Sequence, residues 1–179
     1  MSIVLDGSTG MTLPGAGTSI QTGSLTLATA QTASGTSVDF TGIPSWAKRI
    51  TVCAYGLSVS GLSSSIIRVG GDANGIITSG YFGLVSYMTG STVTTGVSSN
   101  GLYISVSTAA GLVYGSATLT KVANNKWVWS GAFGRDDTTD LMNTVTGGIE
   151  LAEPLTTIRY TTFSGTDTFD AGTINIMYE

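Results

Sequence analysis

The sequence predicts an all-β protein: a single jelly-roll-like β-sandwich preceded by an extended N-terminal arm. Three observations carry that expectation. Charged residues make up only 10% of the chain, against about 25% in an average soluble domain, and Gly, Ser and Thr stand in their place. Apolar residues, 41% of the total, come in short alternating runs with no convincing helical spacing. Turn signals rich in Gly, Asn and Asp separate those runs at intervals of roughly 8–15 residues. With 179 residues the chain is long enough to close one core.

Residues 1–37 form the expected arm. They contain no aromatic residue and one charge, Asp6, and they alternate weakly apolar pieces (Ile3 to Leu5, Leu25 to Leu27) with Gly/Ser/Thr turns. Such a stretch cannot bury a core alone, so it should gain order by lying on a partner or on its own domain. Residues 38–179 carry the sandwich.

Within the sandwich, "VDF" opens the first strand and Pro44 closes it. The next strand should span about Lys48 to Val59, with Ile50, Val52 and Ala54 on one face and Thr51, Cys53 and Tyr55 on the other. Further strands are expected in "SSIIRVG", "GIITSGYFGLVSYM", "GLYISVST", "YGSATLTKV", "KWVWSGAF", "GGIEL" and "LTTIRYTTF". "GGDANG", "SSNG", "ANNK", "GRDDTTD" and "SGTD" supply the turns between them. "DDTTDLMNTV" is too short for a helix and is assigned to loop. The chain ends on "TINIMYE", where Ile174, Ile176 and Tyr178 alternate with polar or flexible residues. Strand ends fray unless a sheet holds them, so a neighbouring subunit is the expected holder. Trp127, Trp129, Ile50, Val52, Ile158 and Ile174 are the expected core. Replacing Trp127 or Ile50 should cost stability, whereas Asp137→Ala should not.

Composition also excludes functions. Seven scattered basic residues and a net charge of −4 leave no stripe for nucleic acid. No apolar run reaches the ~18 residues of a membrane span, and the N-terminus shows no basic-then-apolar leader pattern. Without histidine, Ser-His-Asp and Cys-His nucleophile systems and imidazole zinc sites are impossible. Cys53, the single cysteine, reads as a small strand residue. No cofactor is expected.

Carboxylates are the remaining acid–base material: Asp136, Asp137 and Asp140; Glu150 and Glu153; Asp167 and Asp170. A pair across a cleft would suit a glycan hydrolase, which is a minor alternative. Asp136, Asp137 and Asp140 also form a weak candidate calcium set, although a solvated acidic loop balanced by Arg135 is the simpler reading. Asp167 and Asp170 should tie the turn before the last strand to backbone amides. Tyr81, Phe82, Tyr87 and Tyr103 are the candidate ligand-binding residues, because aromatics beside hydroxyl-rich loops suit sugar contact.

"DFTGIPSWAKRITV" (39–52) and "IRYTTFSGTDTFDAGTINIMYE" (158–179) resemble segments of C-terminal domains in bacteriophage tail-fibre-like proteins. "SIVLDGSTGMTLP" resembles the extended segments in shafts or arms of the same proteins. The resemblance covers both ends and little of residues 56–152. It implies a small all-β domain, commonly trimeric and without enzymatic activity. It also implies a place in the virion after assembly in the host cytoplasm, with other virion proteins as partners and a host-surface glycan as target. The alternative is a capsid decoration (cement) protein that clamps the capsid with its N-terminal arm.

Overall fold

The computed structural model describes residues 4–6, 10–12, 19–20, 25–105, 108–109, 111–137 and 141–179, with side chains from residue 25 onward. The described residues hold seventeen strands and no helix. In chain order these begin with β1 (Val4–Asp6), β2 (Gly10–Thr12), β3 (Ser19–Ile20), β4 (Thr26–Leu27), β5 (Gln31–Thr32) and β6 (Ser37–Phe40). Then come β7 (Arg49–Val59), β8 (Ser65–Gly71), β9 (Gly75–Ile76), β10 (Phe82–Thr89), β11 (Thr92–Ser98) and β12 (Leu102–Ile104). The last five are β13 (Leu112–Ala123), β14 (Lys126–Asp136), β15 (Leu141–Glu150), β16 (Thr157–Thr162) and β17 (Phe169–Tyr178).

They form a two-layer antiparallel sandwich. The larger sheet runs β11-β10-β15-β14-β13-β7-β17-β4, with β5 also on β17. The smaller runs β12-β8-β16-β6, with β9 on β8. β1, β2 and β3 make a small antiparallel ladder of their own. Part of the arm lies on its own domain: Thr26 and Leu27 pair with Tyr178 and Met177, and Gln31 and Thr32 with Ile174 and Thr173.

Alternation decides which side chains meet between the layers. On β7, Ile50, Val52 and Ala54 point inward and are buried, while Tyr55 is exposed. That phase then shifts by one. Gly56 takes φ +61°, two residues of β7 oppose one of β13, and Leu57 and Val59 turn inward in place of their neighbours. This is a bulge, and a glycine is what allows positive φ there without strain. β17 bulges beside it at Gly172 (φ +100°), where a Cβ would sit 2.6 Å from the Gly56 carbonyl oxygen.

All six expected core residues are buried, and Ile67, Val69, Phe133, Tyr160 and Ile176 join them in one cluster. Trp127 and Trp129 share the inner face of β14, and neither indole N–H has a hydrogen-bond partner. Their contribution is then mainly packing, with the Lys121 ammonium 5.8 Å from the centre of the Trp127 ring. Trp127→Ala is expected to destabilise by about 3–5 kcal/mol through lost burial and a residual cavity. Trp127→Phe, which keeps most of the ring, should lose less than half of that. Urea midpoints of the two variants check this; equal losses would mean that the indole N–H matters.

The terminal strand does not wait for another subunit. Residues from Thr173 to Tyr178 pair with β7 of the same chain, and beyond the strand Glu179 exchanges backbone hydrogen bonds with Arg49. Two strands go beyond those expected. β15, inside the larger sheet, extends the expected "GGIEL" back through "LMNTV", expected as loop. "TVTTGVS", assigned to no strand, is β11 at the edge of that sheet. Conversely, "GIITSGYFGLVSYM" is broken into β9 and β10 by the segment from Ile77 to Tyr81.

Candidate functional site

Where the two layers stop covering each other, a cleft opens. β12 ends the smaller sheet and packs on β10 and β15, while β11 lies one strand further out in the larger sheet. The space beneath, about 420 Å³, is walled by Tyr87, Ser98, Asn100, Tyr103 and Phe163, with Gly96 and Val85 behind. That volume falls in the range of small-molecule sites.

Each wall has a cause. Gly96 lies opposite Val85, and a Cβ on it would approach the valine Cγ1 to 3.2 Å, so glycine keeps this part of the inner face open. Tyr103 donates its hydroxyl hydrogen bond to Ser64 (2.8 Å) and meets Phe163 edge-to-face at 5.5 Å, which sets both rings. The Ser98–Asn100 turn is held by the Arg68 side chain, whose Nε–H donates to the Asn100 carbonyl at 3.0 Å. Asn143, wholly buried on β15, accepts from Ser105 N–H (3.0 Å) and donates to Ser105 C=O (2.9 Å). One amide thus acts as a strand partner for the residue after β12 and pins it to the larger sheet. Among the described residues no acidic or basic side chain lines the cleft. Its chemistry is aromatic faces beside hydroxyl and amide groups, the set that neutral polyols use.

The four aromatic candidates separate. Tyr87 and Tyr103 are half-buried and meet in the cleft. Phe82, 62% exposed, lies on the opposite face of β10. Tyr81 is core, against the expectation of ligand contact: it is 6% exposed and packs on Trp129. Its hydroxyl accepts from Val69 N–H and donates to the Ile77 carbonyl, both at 2.9 Å. Burial pushes its phenol up to about 12, so it stays a donor at neutral pH. Neighbours in sequence cannot share a face of a strand, a rule that already separates Tyr81 from Phe82. Phe163 and the Ser98–Asn100 turn had no sequence signal beyond turn composition.

The carboxylates hold loops together. Glu153 accepts from the backbone N–H groups of Ala73 (2.9 Å) and Asn74 (2.6 Å) and from the Asn74 side chain, which lowers its pKa. It thereby fastens the "GGDANG" hairpin loop. Asp167 accepts from Ser63 N–H at 2.7 Å, a tie to a different loop from the local turn expected. Glu150 pairs with Lys126 at 3.5 Å on the surface, and Asp170 is exposed. Asp137 is not a solvated loop residue: it pairs with the buried Arg135, Nε to Oδ2, at 2.9 Å. Asp136 points outward, and Asp140 lies outside the described residues. Among the described residues no three His, Cys, Asp or Glu side chains stand close enough to hold a metal ion. Cys53 sits half-buried on β7, where burial raises its thiol pKa. No described helix is long and apolar enough to cross a membrane. Comparison with family models, curated proteins and solved structures finds no match to this chain.

Proposed function

We propose that this chain is a non-enzymatic virion protein of the tail-fibre type that contacts a neutral glycan on the host surface through the cleft between β11 and β12. The observation that carries the reading is the cleft itself, which combines Tyr87, Tyr103 and Phe163 with Ser98 and Asn100 and has no charged side chain among the described residues. Aromatic rings cover the apolar faces of a sugar ring, and fixed amides and hydroxyls meet its hydroxyl groups. Two of the carboxylates that a hydrolase could use, Glu153 and Asp167, are tied to loop amides. The resemblance of residues 39–52 and 158–179 to tail-fibre-like domains supports the virion setting.

An array of neutral oligosaccharides probed with the full-length protein tests this. Binding is expected, with about tenfold or greater loss in Tyr87→Ala, the change that follows from a contact worth ~1.4 kcal/mol. Absence of any neutral glycan ligand, or undiminished binding by Tyr87→Ala, would overturn the assignment.

A further inference from the structure

The outward face of the larger sheet has a pattern of its own. Register places its outward side chains in rows across the strands. One row holds Val97, Leu84, Thr146, Ser130 and Thr118. The next holds Thr95, Ser86, Thr144, Ala132 and Ser116. A third holds Val93, Met88, Met142, Gly134 and Tyr114. None of these residues is charged. Acidic and basic groups appear only at the rim, as Lys126, Glu150 and Arg49 at one end and Asp136 at the other.

Leu84, Met88, Val93, Val97 and Met142 are all exposed on this face. Exposed apolar side chains grouped on one sheet face, here in two rows flanking a hydroxyl row, mark an interaction surface. The adjoining edge strand β11 carries no charge and no proline, the usual devices that keep an edge from pairing.

We propose that this face is covered by a second copy of the same chain, packed face to face about a two-fold axis through the Ser86–Thr144 row. At β10 and β11 the rows are self-complementary about that line. A two-fold rotation lays Leu84 and Val97 of one copy on Met88 and Val93 of the other, apolar against apolar, while Thr146, Ser130 and Thr118 meet Met142, Gly134 and Tyr114. Hydroxyl row meets hydroxyl row between them. Isologous contacts require this kind of symmetry.

A charged partner would find no complement here, whereas a copy brings no like charges into opposition. The size also fits. Five strands at about 4.8 Å and seven residues at about 3.3 Å give a panel on the order of 500 Å² in projection. Corrugated by side chains, it approaches the roughly 800 Å² per partner of a standard interface. The cleft opens mainly on the other face of β10 and β11, with Thr95 and Val97 at the border of both, so both functions fit on one chain. The trimer implied by the sequence resemblance would need a different contact.

Sedimentation of the full-length protein over a concentration series, beside Met88→Lys and Met88→Leu, tests the proposal. Wild type and Met88→Leu should be dimers, and Met88→Lys should dissociate with a constant at least about tenfold weaker. Because Met88 is 46% exposed, the fold should survive. Should Met88→Lys unfold, Val93→Lys, at a site 60% exposed and outside the cleft, repeats the test. A wild-type monomer, a trimer, or a dimer indifferent to both lysines would overturn it. Glycan binding is read separately and does not move with this outcome.

Discussion

A chain lacking Asn175–Glu179 is expected not to fold. Those five residues carry the end of β17, which is held on one side by β7 and on the other by β4. Removing them strips the partners of Cys53, Val52, Thr51 and Ile50. It deletes the buried Ile176 and the Tyr178 ring that packs at 5.9 Å on Trp46. It also removes the Glu179 carbonyl, which accepts from Lys48 N–H (2.7 Å) and Arg49 N–H (3.0 Å), and the Arg49–Glu179 ion pair.

Burial of Ile176 alone contributes about 2–3 kcal/mol, and each lost ladder hydrogen bond about 1 kcal/mol. Together with the lost tyrosine contact the deficit exceeds about 6 kcal/mol, against a total stability of about 5–15 kcal/mol for a domain. Circular dichroism should show no cooperative thermal transition. A strand held by a neighbouring subunit, the expectation from sequence, would put the loss in assembly instead. A truncated chain that melts cooperatively within a few degrees of wild type would contradict the assignment of β17 as a load shared within one subunit.

Alternation made much of this sheet legible in the sequence. Where a strand has one face in the core, polar and apolar residues take turns, and β7, β14 and β17 were visible for that reason. What alternation cannot show is a change of phase, and Gly56 produces one in the middle of β7. Nor does it reveal strands whose outward side chains are hydroxyls or glycines. The first half of β15 was hidden because "LMNTV" follows an acidic turn and reads as loop with it, although Asn143 is wholly buried. β11 was hidden because Val93 and Val97 face outward, the reverse of the usual pattern. That reversal is the same observation that points to a covered face.

The cleft was half legible. Tyr87 and Tyr103 could be singled out as aromatics near hydroxyl-rich turns, but they come from β10 and β12, and only the pairing of sheets brings them together. Phe163 arrives from the end of β16 across a still longer span of sequence. Asn143, which positions the neighbouring Ser105, sits in the strand that composition concealed.

Asp137→Ala is expected to destabilise by about 3 kcal/mol or more, comparable to losing a core aromatic. From sequence this residue was the silent control. The structure places Arg135 on the inner side of β14, buried, and Asp137 folds back beneath the strand end to meet it. Nε lies 2.9 Å from Oδ2 and Nη2 donates to Oδ1 at 3.2 Å. The two side chains are only 8% and 10% exposed, so water screens the pair little. Removing the carboxylate strands a guanidinium in a poor dielectric, a change that costs about 3–5 kcal/mol in comparable buried pairs.

The penalty belongs to the orphaned charge rather than to the lost bond. Arg135→Met with Asp137→Ala should therefore recover most of it, since a flexible apolar chain fills the guanidinium's space. The Lys126–Glu150 pair supplies the contrast: at 55% and 68% exposure, Glu150→Ala should cost under about 1 kcal/mol. Urea unfolding of the single, double and contrast variants, compared at unchanged m-value, separates these cases. If Asp137→Ala matches Glu150→Ala, or the double variant is no better than the single, the buried pair does not stabilise the strand end as argued.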